Sequence, residues 1–134
     1  MSSTHSANPM VCAAGKANLE ALLEDGLIEN SRQLGEVLHA GLEDLRASHP
    51  SHIGSVQGKG LLAGVLFTAP DGKPLSTLCD RIAERCMQRG LLVVHTGRES
   101  IKLAPPLCIT RDGLSEGLEV FSGAVSDCIG EEAG

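Results

Sequence analysis

The stretch HIGSVQGKGLLAGVLFT, residues 52–68, contains two apolar runs separated by a glycine–lysine–glycine step. Apolar runs of this length that are bounded by glycines predict β-strands, so residues 53–57 and 61–68 are predicted as neighbouring strands. The glycines beside Lys59 permit the tight bend that such a pair needs. The stretch lacks the spacing of a nucleotide-binding glycine loop, and we therefore interpret its glycines as structural.

Further elements are predicted on both sides of this strand pair. A third strand is predicted at residues 91–95, with an antiparallel partner at residues 100–103 after a turn at Gly97. Four segments predict helices: residues 8–25, residues 27–47, the segment between Pro74 and Gly90, and the segment after Thr110. Together these elements predict an α+β fold, with a small, mostly antiparallel sheet of three to four strands packed with four helices.

The composition limits the class of protein. A chain of 134 residues with 42% hydrophobic residues can bury the core of one domain, which we take to span residues 1–134. The formal charge is −6, and the 11 basic residues are scattered among 17 acids, so no nucleic-acid partner is expected. The sequence has neither an apolar run of 18 residues nor a signal peptide, so we expect no membrane contact and a cytoplasmic location. The spacing of the five cysteines and five histidines predicts no disulfide framework and no metal site.

A second informative stretch, STHSANP at residues 3–9, precedes the first helix. Asn8 is a typical N-cap and Pro9 a typical first helical residue, so the positive end of the helix dipole would face Ser3 and Thr4. Hydroxyl groups and free backbone N–H groups at a helix start are how many proteins bind phosphate. Because the same residues are also the ordinary means of capping a helix, the pattern alone leaves both interpretations open.

Three motifs follow one another along the chain: THSANPMVCAA at residues 4–14, VQGKGL at residues 56–61 followed by Gly64, and LAPPL at residues 103–107. In this order and spacing they resemble the C-terminal third of class III aminotransferases, over nearly all of residues 2–129. Those are pyridoxal-phosphate enzymes such as the acetylornithine, ornithine and 4-aminobutyrate aminotransferases. The resemblance implies the small C-terminal domain of a fold-type I pyridoxal-phosphate enzyme. We divide the chain accordingly into a phosphate-contact motif (1–9), a leading helix (9–25), a domain body (26–129) and a frayed tail (130–134).

The resemblance also implies roles for individual residues. It places Thr4 on the cofactor phosphate of the neighbouring subunit and Ser3 near the substrate. Lys102 lies two residues before Ala-Pro-Pro-Leu, where ornithine and acetylornithine aminotransferases usually have an arginine that binds a carboxylate. A lysine offers a single charge in place of a planar fork, and Arg98 could take over that role. An exposed strand lysine is the alternative interpretation of Lys102, and His95 is the one histidine expected near the substrate side.

The Schiff-base lysine of the family belongs to a large domain that would lie upstream of Met1, and Lys16 is expected to be a solvated helix residue. We therefore predict a fragment of an enzyme that moves an amino group between an amino acid and a 2-oxo acid. Alone it would be inactive, without a catalytic residue or bound pyridoxal phosphate. The alternative is a stand-alone α+β module for interaction or ligand sensing. Small and apolar residues on several faces of the first helix predict a homo-oligomer, with the large domain as a further partner in the parent enzyme.

Overall fold

The computed structural model describes residues 8–95 and 97–131, and within them the chain forms four helices and four strands. The elements are α1 (Pro9–Glu24), α2 (Leu27–Ser48), β1 (Ile53–Lys59), β2 (Leu62–Phe67), α3 (Ser76–Gln88), β3 (Val94–His95), β4 (Ser100–Leu103) and α4 (Arg111–Gly130). All strand pairs are antiparallel, in the order β1-β2-β4-β3. The predicted α+β class, with four helices and a sheet of up to four strands, is confirmed.

A β-bulge at the start of β1 brings its apolar residues to one face of the sheet. Ile53 pairs with Phe67 and Val56 pairs with Val65, and the register shifts between Ile53 and Ser55. Residues three apart on a regular strand point to opposite faces, but the extra residue of a bulge reverses that alternation. Ile53 is therefore buried, and Val56 packs against the same core.

One face of the sheet packs against α2 and α3, and α4 packs on those two helices. A stripe of leucines on α2 forms the centre of the interface, and its members Leu34, Leu38, Leu42 and Leu45 are all buried. Residues from β2, β4, α3 and α4 complete a single cluster. Burial of one such aliphatic or aromatic side chain stabilises a fold by about 1.5–3 kcal/mol, so this cluster is the main source of stability.

Two surfaces are left without cover by any described element. The first is the opposite face of the sheet, which we call the open face; it carries Gln57, Leu62, Gly64, Leu66, Ser100 and Lys102. The second is α1, which approaches only α2 among the described elements and has no buried residue. The sequence suggests that one stripe of this helix packs on its own domain, but that contact is limited to the half-buried Ala21 and Leu22.

The third strand is shorter than predicted. Only Val94 and His95 pair with β4, and Val94 lies opposite Lys102. Continued pairing in this register would bring Leu91 opposite Pro105, which has no N–H group to donate, so the pairing could extend no farther than Leu92. It ends at Val94, and beyond that residue the two segments separate.

The end of α4 is fixed by ion pairs with α3. The helix runs to Gly130, the first residue of the segment for which the sequence predicts a frayed tail. Glu131 lies 2.7 Å from a guanidinium nitrogen of Arg81 and 2.8 Å from one of Arg85. Hydrogen bonds from Arg85 and Arg81 also lower the pKa of the Glu131 carboxyl.

Candidate functional site

Lys102 lies on the open face of the sheet, in β4. Its neighbours in register are Gly64 of β2 and Val94 of β3, so one flanking position has no side chain. A shallow groove along this face is lined by Lys102 together with Ser100 and Gln57, and Lys102 is the only charged residue on it. No carboxylate in residues 8–95 and 97–131 forms an ion pair with Lys102. The groove thus presents one positive charge that is not neutralised by the domain itself.

Arg98, the predicted substitute, has an acidic neighbour. It lies between β3 and β4, is largely exposed, and its Nε atom is 3.8 Å from a carboxylate oxygen of Glu99. A second charge so near reduces the attraction that the guanidinium exerts on an outside anion. Of the two cations, Lys102 is the better placed to receive an anionic group.

His95 links α3 to the strands instead of lining the groove. Its Nε2 atom lies 2.8 Å from a carboxylate oxygen of Asp80, and its Nδ1 atom lies 3.2 Å from the carbonyl oxygen of Ser100. Both partner atoms are hydrogen-bond acceptors. The imidazole is 9% exposed. His95 therefore holds β3 and β4 in position beneath Lys102.

The predicted phosphate-contact residues, Ser3 and Thr4, lie outside the described residues, and the structure begins with the cap that follows them. Asn8 Oδ1 accepts a hydrogen bond from the backbone N–H of Met10 at 3.0 Å, and Pro9 is the first helical residue, as predicted. The first turn of α1 carries no acidic side chain. The positive end of the helix dipole is thus available to an anion brought near residues 3–8.

The VQGKGL motif forms the tip of the β1–β2 hairpin and packs directly on α2. Gly60 has a φ of 57°, and a Cβ atom at Gly35 of α2 would lie 2.4 Å from its Cα atom. The backbone N–H of Leu61 donates to Ser31 Oγ of α2 at 3.2 Å. A Cβ atom at Gly58 would lie 2.0 Å from a carbonyl oxygen of β2. These glycines serve backbone packing, and through β2 they fix the position of β4 and Lys102.

The LAPPL motif begins at the last residue of β4 and leads into a loop that is held by α2. The side-chain amide of Asn30 donates to the carbonyl oxygens of Leu107 at 2.7 Å and Ile109 at 3.1 Å. Behind this loop is a cavity of about 280 Å³, and Lys102 is the only charged residue that lines it in the described part of the chain. The same lysine therefore borders both the groove on the open face and this apolar cavity.

Other reactive side chains in the described part of the chain have structural surroundings. Lys16 is exposed and forms an ion pair with Glu20 at 2.7 Å. Burial raises the pKa of the Cys79 thiol to about 12 and that of Cys86 to about 11, which keeps both protonated and unreactive. Within residues 8–95 and 97–131 no group of three His, Cys, Asp or Glu side chains could hold a metal ion. No helix in these ranges is long and apolar enough to cross a membrane.

The sequence profile of the family described as aminotransferase class-III matches residues 1–125. The chain belongs to this family. The acetylornithine aminotransferase of Mycobacterium leprae is 36% identical over 129 residues, which are 96% of this chain and 30% of that protein. The alanine/serine racemase of Pyrococcus horikoshii is 31% identical over 128 residues, 94% of this chain and 27% of that protein.

Solved structures show the same relationship. A transaminase from the marine bacterium Virgibacillus matches 100% of this chain and 32% of its own length, with a TM-score of 0.85 and 26% identity. The chain therefore spans between 27% and 32% of the length of these three class III relatives. The resemblance inferred from the three motifs is confirmed.

One residue that supports the site was not found from the sequence. Asn30 holds the LAPPL loop from a position 77 residues away from Leu107, and no local pattern indicates such a pairing. His39 of α2 does not line the groove or the cavity; it is half-buried, and its Nε2 atom has no hydrogen-bond partner among the described residues. Its place next to the buried Leu38 borders the apolar stripe of α2, which accounts for its partial burial.

Proposed function

We propose that this chain is the small domain of a pyridoxal-phosphate enzyme that moves an amino group between an amino acid and a 2-oxo acid. The observation that carries the proposal is the match to the class III family over residues 1–125, combined with Lys102, a cation that lines the groove on the open face and forms no ion pair with any described carboxylate. Bound pyridoxal phosphate would act as the electron sink, while the protein supplies orientation and charge.

The proposal gives this chain two tasks. Thr4 would donate its hydroxyl to the cofactor phosphate of a neighbouring subunit, next to the positive end of α1. Lys102 would hold a substrate carboxylate by its single charge, and Ser3 would border the substrate. Because an ammonium group binds a carboxylate as a point charge, it fixes the orientation of the substrate less tightly than a guanidinium fork does. We therefore expect Lys102→Arg to change substrate preference in the assembled enzyme.

We further propose that the chain alone forms no stable Schiff base with pyridoxal phosphate. None of the described lysines lies beside groups that would activate its amine for Schiff-base formation. Lys16 and Lys73 are exposed, and each is paired with an acidic side chain, at 2.7 Å and 2.6 Å respectively. The test is an absorbance titration with pyridoxal phosphate, followed by borohydride trapping and peptide mapping. We expect scattered, substoichiometric labelling and no transamination. One stoichiometrically labelled lysine together with activity would overturn the proposal.

The role of Thr4 is tested in a chimera in which this chain replaces the corresponding segment of the Mycobacterium leprae relative. We expect Thr4→Val to weaken cofactor binding at least about tenfold, because the loss of one hydrogen bond to a charged group costs about 1.5–3 kcal/mol. Thr4→Ser keeps the hydroxyl and is the matched control. Equal cofactor affinity in both variants would show that Thr4 serves only as part of the helix start.

We propose α1 as the surface through which the isolated chain forms a homo-oligomer. Met10 is 82% exposed and Val11 is 61% exposed, an arrangement typical of interfaces. Light scattering coupled to size-exclusion chromatography at tens of micromolar should show a dimer, and Val11→Glu should shift it toward monomer. Lys16→Glu, farther along α1, is a control for charge alone. A monomer at that concentration would refute self-association through α1.

A further inference from the structure

The cavity behind the LAPPL loop is formed entirely by this chain. It lies where β3 begins and β4 ends, between the separating segments 91–93 and 104–106, with α4 on its far side. Its volume of about 280 Å³ is near the lower end of the range for small-molecule sites. An engineered apolar cavity of about 150 Å³ accommodates benzene, so this one has room for a larger apolar group.

Two features keep the space free of side chains. The strand pairing ends at Val94, so that residues 91–93 and 104–106 do not close on each other. On α4, the wall includes Gly113 and Gly117, which contribute no side chain, next to Leu114 and Leu118. A Cβ atom at Gly117 would meet only Leu91 Cδ1, at 3.8 Å, an ordinary contact. The cavity thus has a position at which it can be filled without disturbing the backbone.

The lining defines the chemistry of a ligand. Leucine side chains and prolines form the walls, and among the described residues Lys102 supplies the only charge. No described carboxylate lines the cavity, so a ligand ammonium group would lose its hydration without gaining a partner. We propose that the cavity binds a small monocarboxylate with an unbranched apolar body, the body among the leucines and the carboxylate on Lys102.

This inference goes beyond the proposed function because it requires neither pyridoxal phosphate nor the rest of the enzyme. The proposed cavity ligand also differs chemically from an amino acid substrate. An amino acid carries an α-ammonium group beside its carboxylate, and the cavity has no acceptor of matching charge for it. The two ideas share only Lys102, so either can fail without the other.

The test is a titration of the full chain, without cofactor, with hexanoate, followed by the methyl NMR signals of Leu91, Leu114 and Leu118. We expect saturable shifts of these signals. Binding should tighten by about fourfold from pentanoate to hexanoate, the effect of burying one more methylene group. Norleucine, which adds only the ammonium group to the same carbon chain, should bind at least about tenfold more weakly than hexanoate.

Three variants locate the site. Gly117→Val should abolish hexanoate binding, and Gly117→Ala, the milder substitution, should weaken it severalfold. Gly130→Ala on the same helix is the matched control, because a Cβ atom there meets nothing within 4 Å. Lys102→Met should weaken hexanoate about tenfold while leaving hexan-1-ol unchanged. Absence of saturable shifts, or binding that is the same in Gly117→Ala and Gly130→Ala, would overturn the proposal, as would norleucine binding equal to that of hexanoate.

Discussion

The helix α1 and the body formed by residues 27–130 have opposite surroundings. In α1 no residue is buried, whereas α2 alone buries five. Leu23 of α1 is 75% exposed, and Leu38 of α2 is 1% exposed. The difference indicates that the body is stabilised by its own core, while the apolar residues of α1 are left uncovered by residues 8–95 and 97–131.

The largest expected difference between the two regions concerns side-chain truncation. Phe121→Ala removes a fully buried ring of α4 and should lower the free energy of unfolding by about 3–5 kcal/mol. Leu23→Ala on α1 should change it by less than about 0.5 kcal/mol, because the side chain is already in water. Urea unfolding followed by circular dichroism measures both. A large loss in Leu23→Ala would show that α1 belongs to the cooperative core.

The next largest difference concerns glycines in the two helices. Gly35→Ala should cost at least about 1–3 kcal/mol, because its Cβ atom would clash with the backbone of Gly60. Gly15→Ala, where a Cβ atom meets nothing within 4 Å, should stabilise α1 by about 0.5–1 kcal/mol through helix propensity. Thermal melts and the helical signal at 222 nm compare the variants. Equal stability of Gly35→Ala and the wild type would contradict the observed packing of the hairpin tip on α2.

The body could be predicted from the sequence more completely than α1 and the site. The leucine stripe of α2 and the apolar positions of α4 repeat with the helical period, so their burial follows from local pattern. The shortening of β3 depends on how it pairs with β4, and that register is a tertiary property. The same holds for Asn30, which binds a loop 77 residues away. The exposure of α1 was only partly predicted, since its small residues do not reveal which neighbour covers them.

The smallest expected effect concerns ion pairs at the surface. Hydrogen bonds from Arg85 and Arg81 lower the pKa of Glu131, so its contribution to stability is present above the pKa of an unfolded glutamate, about 4.5. That contribution is lost as the pH falls through the lowered pKa. Glu131→Gln should therefore melt slightly below the wild type at pH 7 and together with it at pH 2. Glu20→Gln on α1 is the control, and we expect it to leave the melting of the body unchanged at both values.

A result that contradicts this prediction would concern only the ion pairs of Glu131 with α3. If Glu131→Gln melted like the wild type at pH 7, then the pairs between α3 and the end of α4 would contribute nothing measurable, as is common for exposed ion pairs. The end of α4 would then be held by its backbone hydrogen bonds alone.

Amide hydrogen exchange of the full chain, read by mass spectrometry at a concentration where it is monomeric, tests the central claim most directly. The claim is that the body folds by itself and that α1 is covered only when a partner binds to it. Amides of α2, α4 and β2 should then exchange only through global unfolding, while those of α1 exchange with little protection. Protection of α1 should rise with protein concentration if a second copy covers it. Strong, concentration-independent protection of α1, equal to that of α2, would contradict the account.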